Sequence, residues 1–181
     1  MASIGDLLFQ MTEWLRTTPV VEFSLWVSEQ PLCIWLQSHF FAIPVFQAVH
    51  ILAIAILFGS TLLLNLRILG LNGMDQSLTD SFARYQSWIW GGLLALIASG
   101  AILLISEPVR NMVNPIFWMK MGALLITITV SLLFQAAVRV RAVDWEVSPD
   151  GQAVIRTGAV ALIILWCVVI AGGRWIAYAP V

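Results

Sequence analysis

The chain has 181 residues, 60% of them hydrophobic and only 10% charged, with a formal net charge of −1 and a mean hydropathy of +0.92. A soluble domain of this size has too little interior for so much apolar surface, so the composition demands an integral membrane protein. Nine cationic side chains spread along the sequence make no basic patch, which excludes nucleic acid as a partner, and the two isolated cysteines, Cys33 and Cys167, exclude a disulfide framework or a thiolate zinc site.

Residues 1–43 carry Asp6, Glu13, Glu22 and Glu29 against Arg16 alone, and lack the basic start and unbroken apolar core of a cleavable signal peptide. They are expected to belong to the mature protein. Trp14, Phe23, Trp26 and Trp35 are set among these acids, with Pro19 and Pro31 as breaks. That pattern predicts short amphipathic helices lying at the membrane surface, where tryptophan favours the headgroup level.

A spanning helix needs about 20 largely apolar residues, and within residues 44–181 four segments meet that need, at about 44–66, 86–106, 116–138 and 157–178. Pro44 falls near the first turn of the first span, where its missing N–H costs little. GLNGMDQSLTDS reads as the first connection, Glu107-Pro108 ends the second span, Asn114-Pro115 opens the third, and RAVDWEVSPDGQ reads as the loop before the fourth. The predicted fold is all-α: an integral membrane four-helix bundle preceded by amphipathic interfacial helices.

Four crossings return both termini to one side. Arg67, Arg84, Arg139, Arg141 and Arg156 flank the first and third connections, five cations against four for the other end, where the N-terminal segment is acidic. The positive-inside rule therefore predicts outward-facing termini in an inner, plasma-type membrane. In the second span Gly91, Ala95 and Ser99 recur every four residues, with Gly92 and Gly100 widening the stripe. Such a stripe lets a helix approach closely; it is read as packing, with a homodimer or larger membrane complex as the other use.

Ionisable groups inside the spans are costly, about 2.5–3.5 kcal/mol each at mid-helix, so each needs a reason. At 1.5 Å per residue His50 lies about 9 Å beyond Pro44, and Lys120 about 7 Å beyond Pro115. Lys120 is the chain's only lysine. Arg174 stands about one turn from the end of the fourth span. All three are expected near the outer end of the bundle, with Glu107 and Arg110 capping that end and Gln47 one turn before His50 on the same face. A polar pocket built from His50, Lys120, Arg174, Gln47 and Arg110 is the candidate site. Snorkelling explains Lys120 or Arg174 taken singly, and an interhelical hydrogen bond, to Glu107 or a helix carbonyl, explains His50 taken singly.

Neutral imidazole is also a common ligand for metal and haem, which makes His50 the candidate metal ligand and haem b the candidate cofactor. On that reading Lys120, Arg174 or Arg110 would meet the propionates. His39, eleven residues earlier and about 16 Å along a straight helix, is badly placed as a second axial ligand and reads as interfacial. The sixth position would be open, or filled by Met119, Met121 or Lys120. Arg67, about 25 Å from His50, belongs to the inner surface, anchored to phosphates or paired with Asp75 or Asp80. The other functional classes consistent with the residues are a transporter or copper-handling protein using His50 with Met119 and Met121, and a non-catalytic assembly subunit. Serine nucleophiles are set aside, because Ser60, Thr61, Ser87 and Ser99 lack a local base in the sequence.

The run V-H-I-L-A-x-A-x-L-F-G-S-x-L-L-L-N-L-R-x-L-G, then N-P-x-F-x-x-K, then A-G-x-R-x-I-A-Y, resembles an uncharacterised family of small bacterial four-helix membrane proteins over most of residues 35–179. H-x-L-A followed by L-x-L-R, with one lysine opening a later span, is distantly similar to copper-resistance-D-type membrane domains and to the bacterial four-helix protoporphyrinogen oxidase. The resemblance implies a haem-side role for His50 with Lys120 as its partner.

Overall fold

The structure is a computed structural model, which describes residues 4–71, 78–147 and 149–175. Its helices are α1 (Ile4–Arg16), α2 (Pro19–Ser28), α3 (Pro31–Ser38), α4 (Ala42–Ile68), α5 (Leu78–Ser106), α6 (Pro108–Met112), α7 (Pro115–Val147) and α8 (Pro149–Trp175). Among the described residues no strand occurs. The all-α four-helix membrane architecture expected from the sequence, with helices preceding it, is what the chain forms.

Proline sets the helix starts. Pro19, Pro31 and Pro108 open α2, α3 and α6, and the caps before the first two, Thr18 and Gln30, are extended. Proline disfavours the helical region for the residue before it, yet its own fixed φ suits a first turn. Pro115 opens α7 in the same way, and there the Ile116 N–H donates to Asn114 Oδ1 at 2.9 Å, so an asparagine cap adds to the proline.

Four helices contain segments long and apolar enough to cross a membrane: Ala42–Ile68, Leu78–Ser106, Pro115–Val138 and Gly151–Gly173. Only 17–33% of each apolar window is buried within the protein. The large side chains left outside, among them Ile51, Leu52, Leu94, Leu125, Leu133 and Ile164, are apolar, and lipid is the surrounding that suits them. The protein is thus a multi-pass membrane protein whose partner is the bilayer.

Two boundaries differ from expectation. α5 starts at Leu78 instead of near 86, and RAVDWEV, expected as loop, continues α7 to Val147, with α8 starting at Pro149. Charged residues outside the hydrocarbon are solvated on a helix as readily as on a loop, so polarity marked the end of the span and not the end of the helix. The first connection lies partly at residues 72–77, outside the described residues, as does Pro180.

The chain divides into two compact units, Met1–Ile51 with Ala95–Gly122 and Ala171–Val181, and Leu52–Leu94 with Ala123–Ile170. In the first unit α1, α2 and α3 bury pairs three residues apart: Thr12 with Leu15, Ser24 with Val27, Cys33 with Leu36. That spacing is one helix face. α3 is tied to the end of α5, where Gln37 Nε2 donates to the Ser106 carbonyl at 2.8 Å and Cys33 Sγ lies 3.9 Å from the same oxygen. A helix leaves its last carbonyls without intrahelical donors, and the Gln37 amide supplies one. Burial pushes the Cys33 thiol up.

In the second unit α8 buries Ile155, Ala159, Leu162, Trp166 and Val169, alternating steps of four and three, the seam of a coiled-coil-like contact. α4 and α5 come together at Gly92, where an added Cβ would sit 3.0 Å from the Leu57 backbone nitrogen. Gly158 of α8 faces the ring of Phe134 on α7 in the same manner. Small residues at such crossings let backbones approach in lipid, where no hydrophobic force drives helices together. Of the expected stripe, Gly92, Ser99 and Gly100 meet α4, whereas a Cβ on Gly91 would meet nothing within 4 Å.

Candidate functional site

His50 lies in the third turn of α4, half-buried, in the first unit. Its partner is Ser99 of α5: His50 Nδ1 is 2.9 Å from Ser99 Oγ. Ser99 is only 3% exposed. Its hydroxyl donates to the Ala95 carbonyl at 2.6 Å, with the Leu96 carbonyl at 3.3 Å. With the hydroxyl proton on the backbone carbonyl, Ser99 Oγ accepts from the imidazole, the arrangement that puts the hydrogen on Nδ1 and the lone pair on Nε2. Among the described residues Nε2 has no hydrogen-bond partner.

The next residue of α5 makes room for the ring. A Cβ on Gly100 would lie 3.3 Å from His50 Cε1, tighter than ordinary contact. Adjacent α5 residues therefore do separate work on one imidazole: Ser99 holds its nitrogen and Gly100 leaves space for its edge.

Lys120, in the second turn of α7, is also half-buried in this unit. Its Nζ would be 3.2 Å from a Cβ on Gly173 of α8, and its Cε 3.3 Å, so the chain of Lys120 runs along a glycine surface that a larger residue would obstruct. The ammonium is within electrostatic reach of His50. Helices α4, α5, α7 and α8 thus all contribute to one neighbourhood: His50, Ser99 with Gly100, Lys120 and Gly173.

The other expected members fare differently. Arg174 follows Gly173 on α8, and its side chain lies outside the described residues. Arg110 pairs with Glu107 at 2.9 Å, one turn apart on exposed surface, so the acid once considered for His50 is held by its own neighbour. Gln47 is exposed. Met119 is 61% exposed, and Met121 is half-buried. His39, the residue after α3, is exposed, lies tilted against the Trp35 ring with centroids 4.5 Å apart and places Nδ1 2.8 Å from the Trp35 carbonyl. Arg67 lies in the other unit.

Residues 38–179 match a family of unknown function, DUF6644. The chain belongs to that family. No curated protein and no solved structure matches the chain. The DUF6644 region takes in α4 to α8, and with them every residue of the neighbourhood around His50; it begins at the last residue of α3, leaving α1 and α2 outside.

Sequence reasoning missed Ser99 as a partner of His50. The small-residue stripe marks it as packing and no base lies near it in sequence, yet the His50 imidazole stands 2.9 Å away. The hydroxyl proton points to backbone instead of imidazole, which is opposite to what nucleophile activation requires. The available clue was Ser99 itself, the one polar member of a small-residue stripe, which in lipid has to find a partner. Chemically, the arrangement offers one imidazole lone pair beside one ammonium: a donor for an electron-pair acceptor, and a cation for an anion.

Proposed function

We propose that this member of DUF6644 is a b-type haem-binding membrane protein that handles electrons near the outer face of the membrane, in which His50 would hold the haem iron. The observation that carries the reading is the His50–Ser99 hydrogen bond. A histidine that ligates a metal commonly donates its other N–H to a fixed acceptor, which sets the tautomer, orients the ring and raises its basicity. Here Nδ1 is 2.9 Å from a hydroxyl whose oxygen also contacts the Ala95 carbonyl, and an Nδ1–H tautomer would leave the Nε2 lone pair for a ligand.

The remaining residues suit the same group. Lys120, whose side chain runs along Gly173, would supply a cation to a propionate. Haem, when bound, supplies one-electron redox chemistry. The chain's own residues would then have three tasks: Ser99 holds the imidazole, Gly100 makes room for its Cε1 edge, and Lys120 would balance carboxylate charge.

The test is an absorption spectrum of protein purified after haem-supplemented expression, with metal analysis in parallel. A Soret band that is present in the wild type and lost in His50→Ala is expected. No band, or a band indifferent to His50→Ala, overturns the reading. The metal-handling alternative predicts stoichiometric copper without haem. Among the described residues, no group of three or more His, Cys, Asp or Glu side chains is placed to hold a metal ion, so a metal would have to rely on His50 and thioether sulfur.

A further inference from the structure

The helices that precede the spans carry a repeated surface pattern. In α1 three stripes run side by side, each with members at i, i+4 and i+7 and each one residue, about 100° of rotation, from the next. Leu8, Thr12 and Leu15 turn toward the protein, Leu8 half-buried and the other two buried; Leu7, Met11 and Trp14 are exposed and apolar; Asp6, Gln10 and Glu13 are exposed and polar. α2 repeats the order in the same sense, with Val20, Ser24 and Val27 inward, Pro19, Phe23 and Trp26 exposed, then Glu22 and Glu29 with Leu25 between them. In α3 the exposed Leu32 and Trp35 again precede the buried Cys33 and Leu36 by one residue. We infer that two of these stripes, Leu7, Met11 and Trp14 of α1 and Pro19, Phe23 and Trp26 of α2, insert into the lipid leaflet at the end of the bundle near which His50 meets Ser99, so that the N-terminal helices form a collar half-sunk in that leaflet.

Level is the first support. α2 packs against α6, the short helix between the second and third spans, and α3 is tied through Gln37 to the Ser106 carbonyl at the end of the second. The segment is thereby held where hydrocarbon gives way to headgroups. After α3 the chain passes through Phe40 and Phe41, 84% and 73% exposed, into α4, whose first turns expose Val45 and Val49. The apolar surface of the collar therefore runs on into the surface that the first span turns to lipid.

Residue type is the second. Each apolar stripe contains a tryptophan, the side chain favoured at headgroup depth, and the Phe23 and Trp26 rings stack with centroids 5.8 Å apart into one apolar plate. The polar stripes beside them suit water: the Glu13–Arg16 pair, at 3.0 Å, is exposed on both sides. The inward hydroxyls need neither medium, since Thr12 donates to the Leu8 carbonyl at 2.9 Å and Ser24 to the Val21 carbonyl at 2.7 Å. Among the described large apolar side chains exposed on α1, Phe9 alone falls outside its stripe. One rotational order kept on successive helices suits a continuous apolar medium better than a single local patch on a partner. Four acids against one arginine in residues 1–43 make this insertion hydrophobic and independent of anionic lipid.

Spin labels on the full chain in phosphatidylcholine nanodiscs test this, with Cys167→Ala as the parent and Met11→Cys, Phe23→Cys, Gln10→Cys and Glu22→Cys each labelled singly. Oxygen partitions into hydrocarbon and a nickel chelate stays in water, so the ratio of their access to a label reports its depth. That ratio is expected to be severalfold higher at Met11 and Phe23 than at Gln10 and Glu22, which lie one residue away on the polar stripes. Should Met11→Cys or Phe23→Cys fail to fold, Leu7→Cys and Trp26→Cys on the same stripes replace them. Equal ratios on the two kinds of stripe overturn the inference and leave the collar in water. Labels at Met11 and Phe23 sheltered from both reagents overturn it in favour of a protein contact, a second copy of this chain included.

Discussion

With the Ser99 hydroxyl donating to the Ala95 carbonyl, its oxygen meets His50 as an acceptor, and the hydrogen bond it accepts from Nδ1–H sets which nitrogen carries the lone pair. Ser99→Ala removes that acceptor without adding bulk. In ¹⁵N spectra of the cofactor-free protein, His50 should pass from a single Nδ1–H tautomer to a mixture. Haem affinity should drop about 10- to 100-fold, the usual cost of losing a partner to a metal-binding histidine. An unchanged tautomer in Ser99→Ala would remove Ser99 from the site. Gly100→Ala acts on the same edge of the ring, where the new methyl would press on Cε1 at 3.3 Å. It should weaken haem retention severalfold while the unfolding midpoint moves little, because the displaced atom belongs to a side chain and not to a helix backbone. That His50 required a reason was legible from the sequence, since an imidazole in an apolar span is costly. Its partner was not legible: Ser99 is 49 positions away, and only the register of α5 against α4 brings the two together.

At the scale of the helices, two neighbouring glycines of α5 make opposite predictions. Gly92→Ala would drive a methyl against the backbone of Leu57 at 3.0 Å, so α4 and α5 must separate. Overpacking of that kind costs about 1–3 kcal/mol. Gly91→Ala meets nothing within 4 Å and should be neutral or slightly stabilising, by up to about 1 kcal/mol from helix propensity. Unfolding of the two variants in mixed micelles checks the pair; equal effects would mean that α4 and α5 do not cross at Gly92. A small-xxx-small stripe names the face of a helix only to within one residue, about 100° of rotation, so the sequence could mark the stripe at Gly91, Ala95 and Ser99 while α4 is met at Gly92, Ser99 and Gly100. Prolines were read more accurately. Pro19, Pro31, Pro108 and Pro115 each act through local sterics that no tertiary contact overrides, and each begins a helix. The charged run Asp144, Trp145, Glu146 had no such local rule and proved helical.

For the molecule as a whole, the open question is which way the four spans face. An even number of crossings returns α1 and the end of α8 to one side, and the larger share of arginine at the first and third connections argues that this side is external. Cysteine labelling of intact cells can decide it, because the native thiols are poor targets. Maleimide reacts with the thiolate, and burial raises the Cys33 pKa, so at neutral pH this thiol stays protonated, sealed beneath the Ser106 carbonyl. Its labelling should lag far behind that of a free thiol and become appreciable only as pH rises above the ordinary thiol range. Cys167 lies in the fourth span, where a charged reagent does not reach. Thr17→Cys, exposed between α1 and α2, should therefore label with a membrane-impermeant maleimide in whole cells, and Arg84→Cys, exposed near the start of α5, only after permeabilisation. The reverse pattern would turn the protein over. His50 and Lys120 would then belong to the cytoplasmic half, and any electron donor or acceptor for the proposed haem would have to be sought on the inner side.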